Sequence, residues 1–159
     1  MDNDSSLREH VLKHLRGGQA HLTLDKAVAN LPEQLRGRKV KRLPYTAWQI
    51  LEHMRIAQWD ILEFSRDSTH ISPEWPSGYW PKTAAPPRRT AWNATLKSFR
   101  QDLKAMEQLV ENPSTDLFAR IPHGSGQTIL REALLIADHN AYHIGQLVLL
   151  RRLLDTWKD

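Results

Sequence analysis

Two histidines lie four residues apart in a long, largely apolar run near the C-terminal end of the chain. The segment Ala137–Gln146 reads ADHNAYHIGQ, within a helix predicted from about Thr128 to Trp157. On an α-helix, residues four apart lie about 40° apart around the axis and about 6 Å apart along it. His139 and His143 can therefore bind one metal ion together, with a third ligand supplied from elsewhere in the chain.

The histidine pair lies on a helix face that is predicted to be buried. An imidazole buried without a partner for its acceptor nitrogen costs about 1–3 kcal/mol, a large share of the stability of a small domain. A shared metal ion satisfies the pair, as does a hydrogen-bond network with neighbours such as Tyr142 or Gln146. The face holds both apolar and polar residues: Glu132, Leu135, Ile136, Tyr142, Gln146, Leu147 and Leu150.

A third histidine lies on the predicted core face of another helix. This helix is predicted from Thr46 to about Phe64, because Thr46 and Gln49 have the spacing of a capping box. A lone histidine at such a position is more often a satisfied core residue than a ligand. If His53 faces the pair across a bundle, a three-histidine site is the better interpretation. The residues that share its face are Thr46, Gln49, Ile50, Ile56, Ala57, Asp60, Ile61 and Phe64.

Apolar residues at three-to-four spacing predict two further long helices. The first begins at Ser6, where Ser6 and Glu9 have capping-box spacing, and the second runs from about Thr90 to Glu111. A short helix is expected from Thr23 to about Leu31. His10 and His14 are also four apart, but they lie at the edge of an apolar stripe and are expected to be solvated.

The segment from Ser65 to Arg89 interrupts the helical pattern, because proline disfavours helix interiors. A connection this long is uncommon unless it crosses the fold or covers a site. Its aromatic residues can form a lid, or they can hold a crossover against the core. The residues concerned are Pro73, Pro76, Pro81, Pro86 and Pro87, with Trp75, Tyr79 and Trp80 among them.

The composition limits the location and chemistry of the protein. Its 159 residues are expected to form a single domain spanning residues 1–159, and they include no cysteine. Disulfides, thiolate ligands and cysteine nucleophiles are therefore excluded, and any thiol must come from outside the chain. Neither a signal peptide nor a membrane span is evident, and we expect a cytoplasmic protein.

The net charge of +4 raises the question of nucleic-acid binding. Basic residues are densest in the segment 36–42, at Arg88-Arg89 and at Arg151-Arg152. None of these groups is interleaved with aromatic residues in a recognisable binding module, so we expect no nucleic-acid partner.

The last helix also carries an apolar face opposite its histidines. A helix of a four-helix bundle should not need two buried faces, so we expect a homodimer through this outer face. The face consists of Leu130, Leu134, Ala137, Ala141, Ile144 and Val148.

Three features together resemble the DinB-like, or YfiT-like, family of metal-binding four-helix bundles. They are the LEHM segment around His53, the long Trp- and Pro-rich connection, and the ADHNAYHIGQ segment. The resemblance implies an all-α, up-down-down-up four-helix bundle in which the long connection is a crossover loop. It further implies that His53, His139 and His143 bind one divalent metal ion. Family members include thiol-dependent transferases and isomerases, and many relatives have no assigned activity.

That topology places two carboxylates at one end of the bundle. Asp60 follows His53 by seven residues and Glu132 precedes His139 by seven, so each lies about 10 Å along its helix toward the same end. Each is a candidate catalytic residue, as a general base or as a partner of a ligand. Each can equally be a paired structural acid.

Three imidazole ligands leave a metal ion with open positions, which favours chemistry over a structural role. We expect a metal-dependent enzyme, either a hydrolase or a transferase using a low-molecular-weight thiol, that acts on a small-molecule substrate. The alternative is a non-catalytic metal-binding or stress-response protein in which the metal is structural. The ligand type admits zinc, nickel, iron, manganese or copper.

Overall fold

The computed structural model describes residues 2–157, and this part of the chain is helical with no β-strand. Four helices are long, and two single turns of 3-10 helix lie at Glu33–Leu35 and Ser77–Tyr79. None of the described helices combines the length and the apolar character that a membrane span requires. The helices are α1 (Asn3–Arg16), α2 (Leu24–Val28), α3 (Ala47–Arg66), α4 (Ala91–Glu111) and α5 (Ile129–Leu153).

Side chains cap three of the helices where the sequence predicts a start. Thr46 and Gln49 form the full capping box of α3, and Thr128 accepts a hydrogen bond from the backbone N–H of Arg131 at the start of α5. Thr23 caps α2 in the same way. These bonds satisfy backbone donors that the first turn of a helix leaves free, which fixes where each helix begins.

Two of the long helices have predicted ends that are wrong, and the short α2 also ends at Val28 and not near Leu31. Helix α1 begins at Asn3 and not at Ser6, because the carboxylate of Asp2 accepts the backbone N–H of Ser5 and starts the helix earlier. Helix α5 ends at Leu153 and not at Trp157, and the backbone N–H of Leu154 closes its last turn. These errors concern helix termini, where local capping decides the boundary.

Hydrogen bonds show which residues of α3 and its neighbours lie level with one another. The Thr95 hydroxyl donates to Glu52 at 2.6 Å, and the Gln58 amide donates to the carbonyl of Phe99 at 2.7 Å. Residue numbers therefore increase in the same direction along α3 and α4, so these two helices run parallel. Across α3 and α5, the Asn140 amide donates to Gln58 at 3.0 Å.

Helix α1 is fastened to the end of α4 by a buried arginine that the sequence analysis did not identify. The Arg8 guanidinium donates to the carbonyls of Val110, Asn112 and Thr115 at 2.7, 3.0 and 2.8 Å. At its other end, α1 places Arg16 within 3.2 Å of Glu107. Residue numbers increase along α1 in the direction in which they decrease along α4, so these two helices run antiparallel.

The segment between α3 and α4 runs back along α3. His70 contacts Asp60, the Tyr79 carbonyl contacts His53, and the Thr46 hydroxyl donates to the Ala84 carbonyl. The segment thus passes from the C-terminal end of α3 to its N-terminal end. Between these points it crosses the face that carries His53.

The apolar core consists of two clusters, and Leu103 of α4 packs against both. Helix α5 contacts α1, α2, α3 and α4, which explains why it is apolar nearly all round. On its predicted outer face, Ile144 is buried, and Leu130, Ala137 and Val148 pack against the two clusters. Leu134 remains 46% exposed. Other helices of the same chain therefore cover part of the outer face of α5, the face from which the sequence analysis predicts a homodimer.

Candidate metal centre

His53 of α3 meets His139 and His143 of α5 in the interior of the fold. One ring nitrogen from each lies within 4.8 Å of the others. The Nε2 atoms of His53 and His139 are 3.0 Å apart, and the ring centroids of His139 and His143 are 4.5 Å apart. The structure thus brings together the three histidines that the sequence singled out, although 86 residues separate His53 from His139.

Hydrogen bonds orient two of the three rings. The Nδ1–H of His53 donates to the backbone carbonyl of Tyr79 at 2.9 Å, and the Nδ1–H of His143 donates to the Gln146 side-chain oxygen at 2.7 Å. With the proton held on Nδ1, each ring keeps its lone pair on Nε2. Such partners are typical of metal-binding histidines, because they fix both the tautomer and the ring orientation.

The spacing of these nitrogens suits a shared ion. Zinc binds imidazole nitrogen at about 2.0–2.1 Å, so two nitrogens on one ion lie about 2.8–3.4 Å apart for angles between 90° and tetrahedral. The 3.0 Å separation of the His53 and His139 Nε2 atoms falls within that range, and the ring nitrogen of His143 lies within 4.8 Å of the other two ligand atoms. The donor set is therefore able to hold a divalent cation.

Burial keeps the three imidazoles in the form that binds metal. The pKa of His139 is lowered to about 3, chiefly by desolvation, and the neighbouring His143 and His53 contribute to the same shift. Desolvation also lowers the pKa of His143 to about 4, although its bond to Gln146 opposes the shift. The pKa of His53 is lowered for the same reason. At neutral pH all three rings are uncharged, as metal binding requires.

Trp80 covers one side of the cluster. Its ring stacks on His53 at a centroid distance of 3.9 Å, and Tyr45 stacks on the other face of the Trp80 ring at 3.7 Å. Trp75, in contrast, is 72% exposed. Within the long connecting segment, Tyr79 and Trp80 are therefore the residues that both hold the chain to α3 and shield His53.

Asp60 lies two helical turns after His53 on α3, and two donors engage its carboxylate. The His70 Nε2–H lies 2.7 Å from one carboxylate oxygen, and the Tyr79 hydroxyl donates to the other at 2.6 Å. Because the Tyr79 carbonyl holds His53, Asp60 is connected to the metal centre through Tyr79. Burial and the bond to Asp60 raise the pKa of the Tyr79 hydroxyl to about 12.

Glu132 is 2% exposed and shares a cleft with Asp60. Burial raises the pKa of the Glu132 carboxyl, while the Arg131 guanidinium, 2.7 Å away, opposes the shift. The cleft has a volume of about 230 Å³, and Phe64 and Ser72 also line it. The two carboxylates thus meet at one end of α3 and α5, as the sequence analysis expects. Their catalytic role stays a prediction.

The remaining histidines lie elsewhere. His10 and His14 are exposed on α1, and the His123 Nε2–H donates to the Phe64 carbonyl. Tyr79 and Trp80 are among the aromatic residues that the sequence offers as a lid, but the sequence does not show that these two contact His53, and it gives no sign of the contact between His70 and Asp60. These residues lie in an irregular segment with no periodicity that would indicate where their side chains go.

A family model described as the DinB superfamily matches residues 18–147. This chain belongs to the DinB superfamily. No curated protein and no solved structure matches it.

Without metal, we expect the free energy of unfolding of this DinB protein to fall as the pH is lowered from about 6.5 toward 3. The unfolded chain protonates these imidazoles near pKa 6.5, whereas folded His139 and His143 remain neutral down to about 3 and 4. The unfolded state therefore binds more protons in this window, so stability rises with pH.

Urea unfolding in the presence of a chelator, at several pH values between about 7 and 4, measures this dependence. The His139→Ala variant supplies the control, since it lacks one of the depressed imidazoles and should show a shallower pH slope. Equal slopes for the two proteins would contradict the burial of a neutral His139.

The second prediction concerns Gln146. Its replacement by alanine removes the partner of the His143 Nδ1–H, and we expect metal affinity to fall about 10–100-fold. Gln146→Glu keeps an acceptor oxygen at this position and should bind metal at least as tightly as the natural chain. Competition with a chromophoric chelator measures both affinities. Unchanged affinity in Gln146→Ala would show that this bond does not orient the ligand.

Proposed function

We propose that this chain binds a divalent metal ion through His53, His139 and His143 and uses it in catalysis, as a hydrolase or as a transferase of a low-molecular-weight thiol. The observation that carries the proposal is the size of the ligand set. Among residues 2–157, the group of potential ligands contains these three histidines and no aspartate or glutamate. Structural zinc sites generally have four protein ligands, whereas catalytic sites keep a position for water or substrate.

A divalent ion with three neutral imidazole ligands can lower the pKa of bound water toward about 7, activate a thiol or polarise a carbonyl group. The residues of the chain have separate tasks. The three histidines hold and orient the ion, and Trp80 excludes water from the His53 side. Since the chain has no cysteine, a thiol substrate would have to enter from solution.

The arrangement of the helices forms part of the proposal. We infer an up-down-down-up four-helix bundle with the segment 67–90 as its crossover loop. The parallel order of the α3–α4 hydrogen bonds and the antiparallel order of the α1–α4 contacts support it. In this arrangement the metal binds between the second and fourth long helices.

Glu132 is the stronger candidate for a proton-transfer group. Both oxygens of Asp60 are engaged by His70 and Tyr79, so Asp60 is better suited to hold Tyr79 in place. Glu132 has a raised pKa and lines the adjacent cleft, which suits a general acid or base at neutral pH. It precedes His139 by two helical turns, about 10 Å, so a substrate would have to extend from the metal into the cleft.

The structural alternative has support of its own. The site joins α3 to α5, and a bound ion would stabilise the fold by linking two helices that are distant in sequence. For a non-catalytic metal-binding or stress-response protein, this stabilisation by the bound ion would be a sufficient role for the site. The two functions differ in whether a small molecule can reach the ion.

Cobalt substitution separates them. We expect the Co²⁺-loaded protein to change its visible spectrum and gain a sulfur-to-metal charge-transfer band when β-mercaptoethanol is added, because a position is open. His139→Ala should bind no Co²⁺, whereas His10→Ala, which removes an exposed histidine of α1, should behave like the natural chain. A four-coordinate spectrum that does not respond to the thiol would favour the structural role and contradict the enzyme.

We also propose a cytoplasmic protein that forms a homodimer through the outer face of α5, where Leu134 is exposed. Light scattering should give a mass near twice the 18.4 kDa of one chain. Leu134→Glu would bury a carboxylate in that interface and should shift the mass toward the monomer. A monomeric mass for the natural chain at micromolar concentration would remove the dimer.

A further inference from the structure

Two of the three densest basic groups in the sequence meet around one cavity. Segment 36–42 follows the 3-10 turn at Glu33–Leu35, and Arg88-Arg89 precedes α4 by one residue. In the folded chain, Arg36, Arg38, Arg88 and Arg89 line a cavity of about 790 Å³ together with Glu33, Gln34, Gly37, Ala85 and Pro86. About 50 residues of sequence separate the two groups, so the sequence alone gives no sign of this convergence.

The walls of this arginine cavity are fastened to the start of α3. The backbone N–H of Trp48 donates to the Arg36 carbonyl at 2.8 Å, and the Thr46 hydroxyl donates to the Ala84 carbonyl. Gly37 and Ala85 touch so closely that a Cβ atom on Gly37 would lie 2.7 Å from the Ala85 Cα. The two basic segments are therefore in direct backbone contact, and their arginines do not lie on independent loops.

The cavity carries excess positive charge. Four arginines against one glutamate leave a formal charge of +3 on its lining. Within residues 2–157, the one ion pair among these residues joins Arg89 and Glu33 at 3.5 Å, and both side chains are largely exposed. Arg36, Arg38 and Arg88 have no acidic partner in the described chain.

Arg36 is held in a way that leaves hydrogen-bonding capacity. Its guanidinium carbon lies 4.9 Å from the Trp92 ring centroid, an arrangement that fixes the guanidinium plane. Its Nε atom is buried without a hydrogen-bond partner. This Nε atom has almost no exposed surface, so a ligand in the cavity binds instead to the terminal guanidinium nitrogens of Arg36, which donate to no other described residue.

We propose that this arginine cavity binds a small polyanion with two or more phosphate groups, at a site separate from the metal centre. Guanidinium groups bind phosphate through paired, charge-assisted hydrogen bonds, and several of them around one concavity match a ligand with several phosphates. The volume lies within the range of small-molecule pockets. Nucleic acid is less well matched, because the arginines surround one concave site and do not form a long basic stripe.

Inorganic pyrophosphate is the simplest probe, because it presents two linked phosphate groups. Calorimetric titration of the full-length, metal-free chain should give saturable binding with one site per chain. Arg38→Gln and Arg88→Gln should each weaken binding about tenfold, the effect of losing one hydrogen bond to a charged group. Arg120→Gln removes the same charge from an exposed position outside the cavity and should stay within about twofold.

Two further variants locate the site. Gly37→Ala forces the walls apart while all four arginines remain, and it should also weaken pyrophosphate binding. His139→Ala should bind pyrophosphate like the natural chain, because the cavity shares no residue with the histidine cluster. A cooperative thermal unfolding transition, measured for each variant, would establish that it is folded.

Several outcomes would overturn the proposal. One is the absence of saturable binding to the natural chain at millimolar pyrophosphate. Another is an equal loss of affinity in Arg120→Gln and Arg38→Gln, which would reduce the effect to overall charge. Loss of pyrophosphate binding in His139→Ala would show that the anion binds at the histidine cluster and not in the arginine cavity. If the chain bound a DNA duplex more tightly than it binds pyrophosphate, the ligand of the cavity would be nucleic acid and not a small polyanion.

Discussion

Three neutral imidazoles meet inside this fold, and the remaining structure of the site depends on how their lone pairs are satisfied. His53, His139 and His143 have pKa values lowered chiefly by burial, so protonation does not relieve the cluster at neutral pH. Two of the rings donate their Nδ1–H groups to oxygen acceptors and therefore keep the lone pair on Nε2. A divalent cation satisfies three such nitrogens at once, which no pairwise hydrogen bond between them achieves.

The segment between α3 and α4 connects this centre to the rest of the molecule. Tyr79 holds His53 through its carbonyl and reaches Asp60 through its hydroxyl, while Trp80 stacks on the His53 ring. The same segment is anchored at Ala84 by Thr46, the residue that caps α3. One irregular stretch therefore orients a ligand, shields it and leads into the arginine cavity. Its prolines disfavour helix, which is consistent with an irregular segment that runs along the surface of α3.

The sequence predicts those parts of the protein that periodic patterns encode. Thr46 and Thr128 mark the starts of α3 and α5, and the four-residue spacing of His139 and His143 identifies their shared face. Contacts made by irregular segments have no such pattern. The sequence offers Trp75, Tyr79 and Trp80 as a lid or a crossover anchor without showing which of them meets His53, and the cavity around Arg36 appears only in three dimensions. The predicted start of α1 is wrong because the sequence offers two candidate caps four residues apart, and Asp2, not Ser6, caps the helix.

Anomalous X-ray diffraction from crystals of the metal-loaded protein, collected at the absorption edge of the bound metal, tests the central claim most directly. A single strong peak should lie about 2.0–2.2 Å from the Nε2 atoms of His53, His139 and His143, with a further ligand position open to solvent. A peak bound by the α5 pair with His53 out of reach would contradict this account, as would a metal-loaded crystal with no peak between α3 and α5.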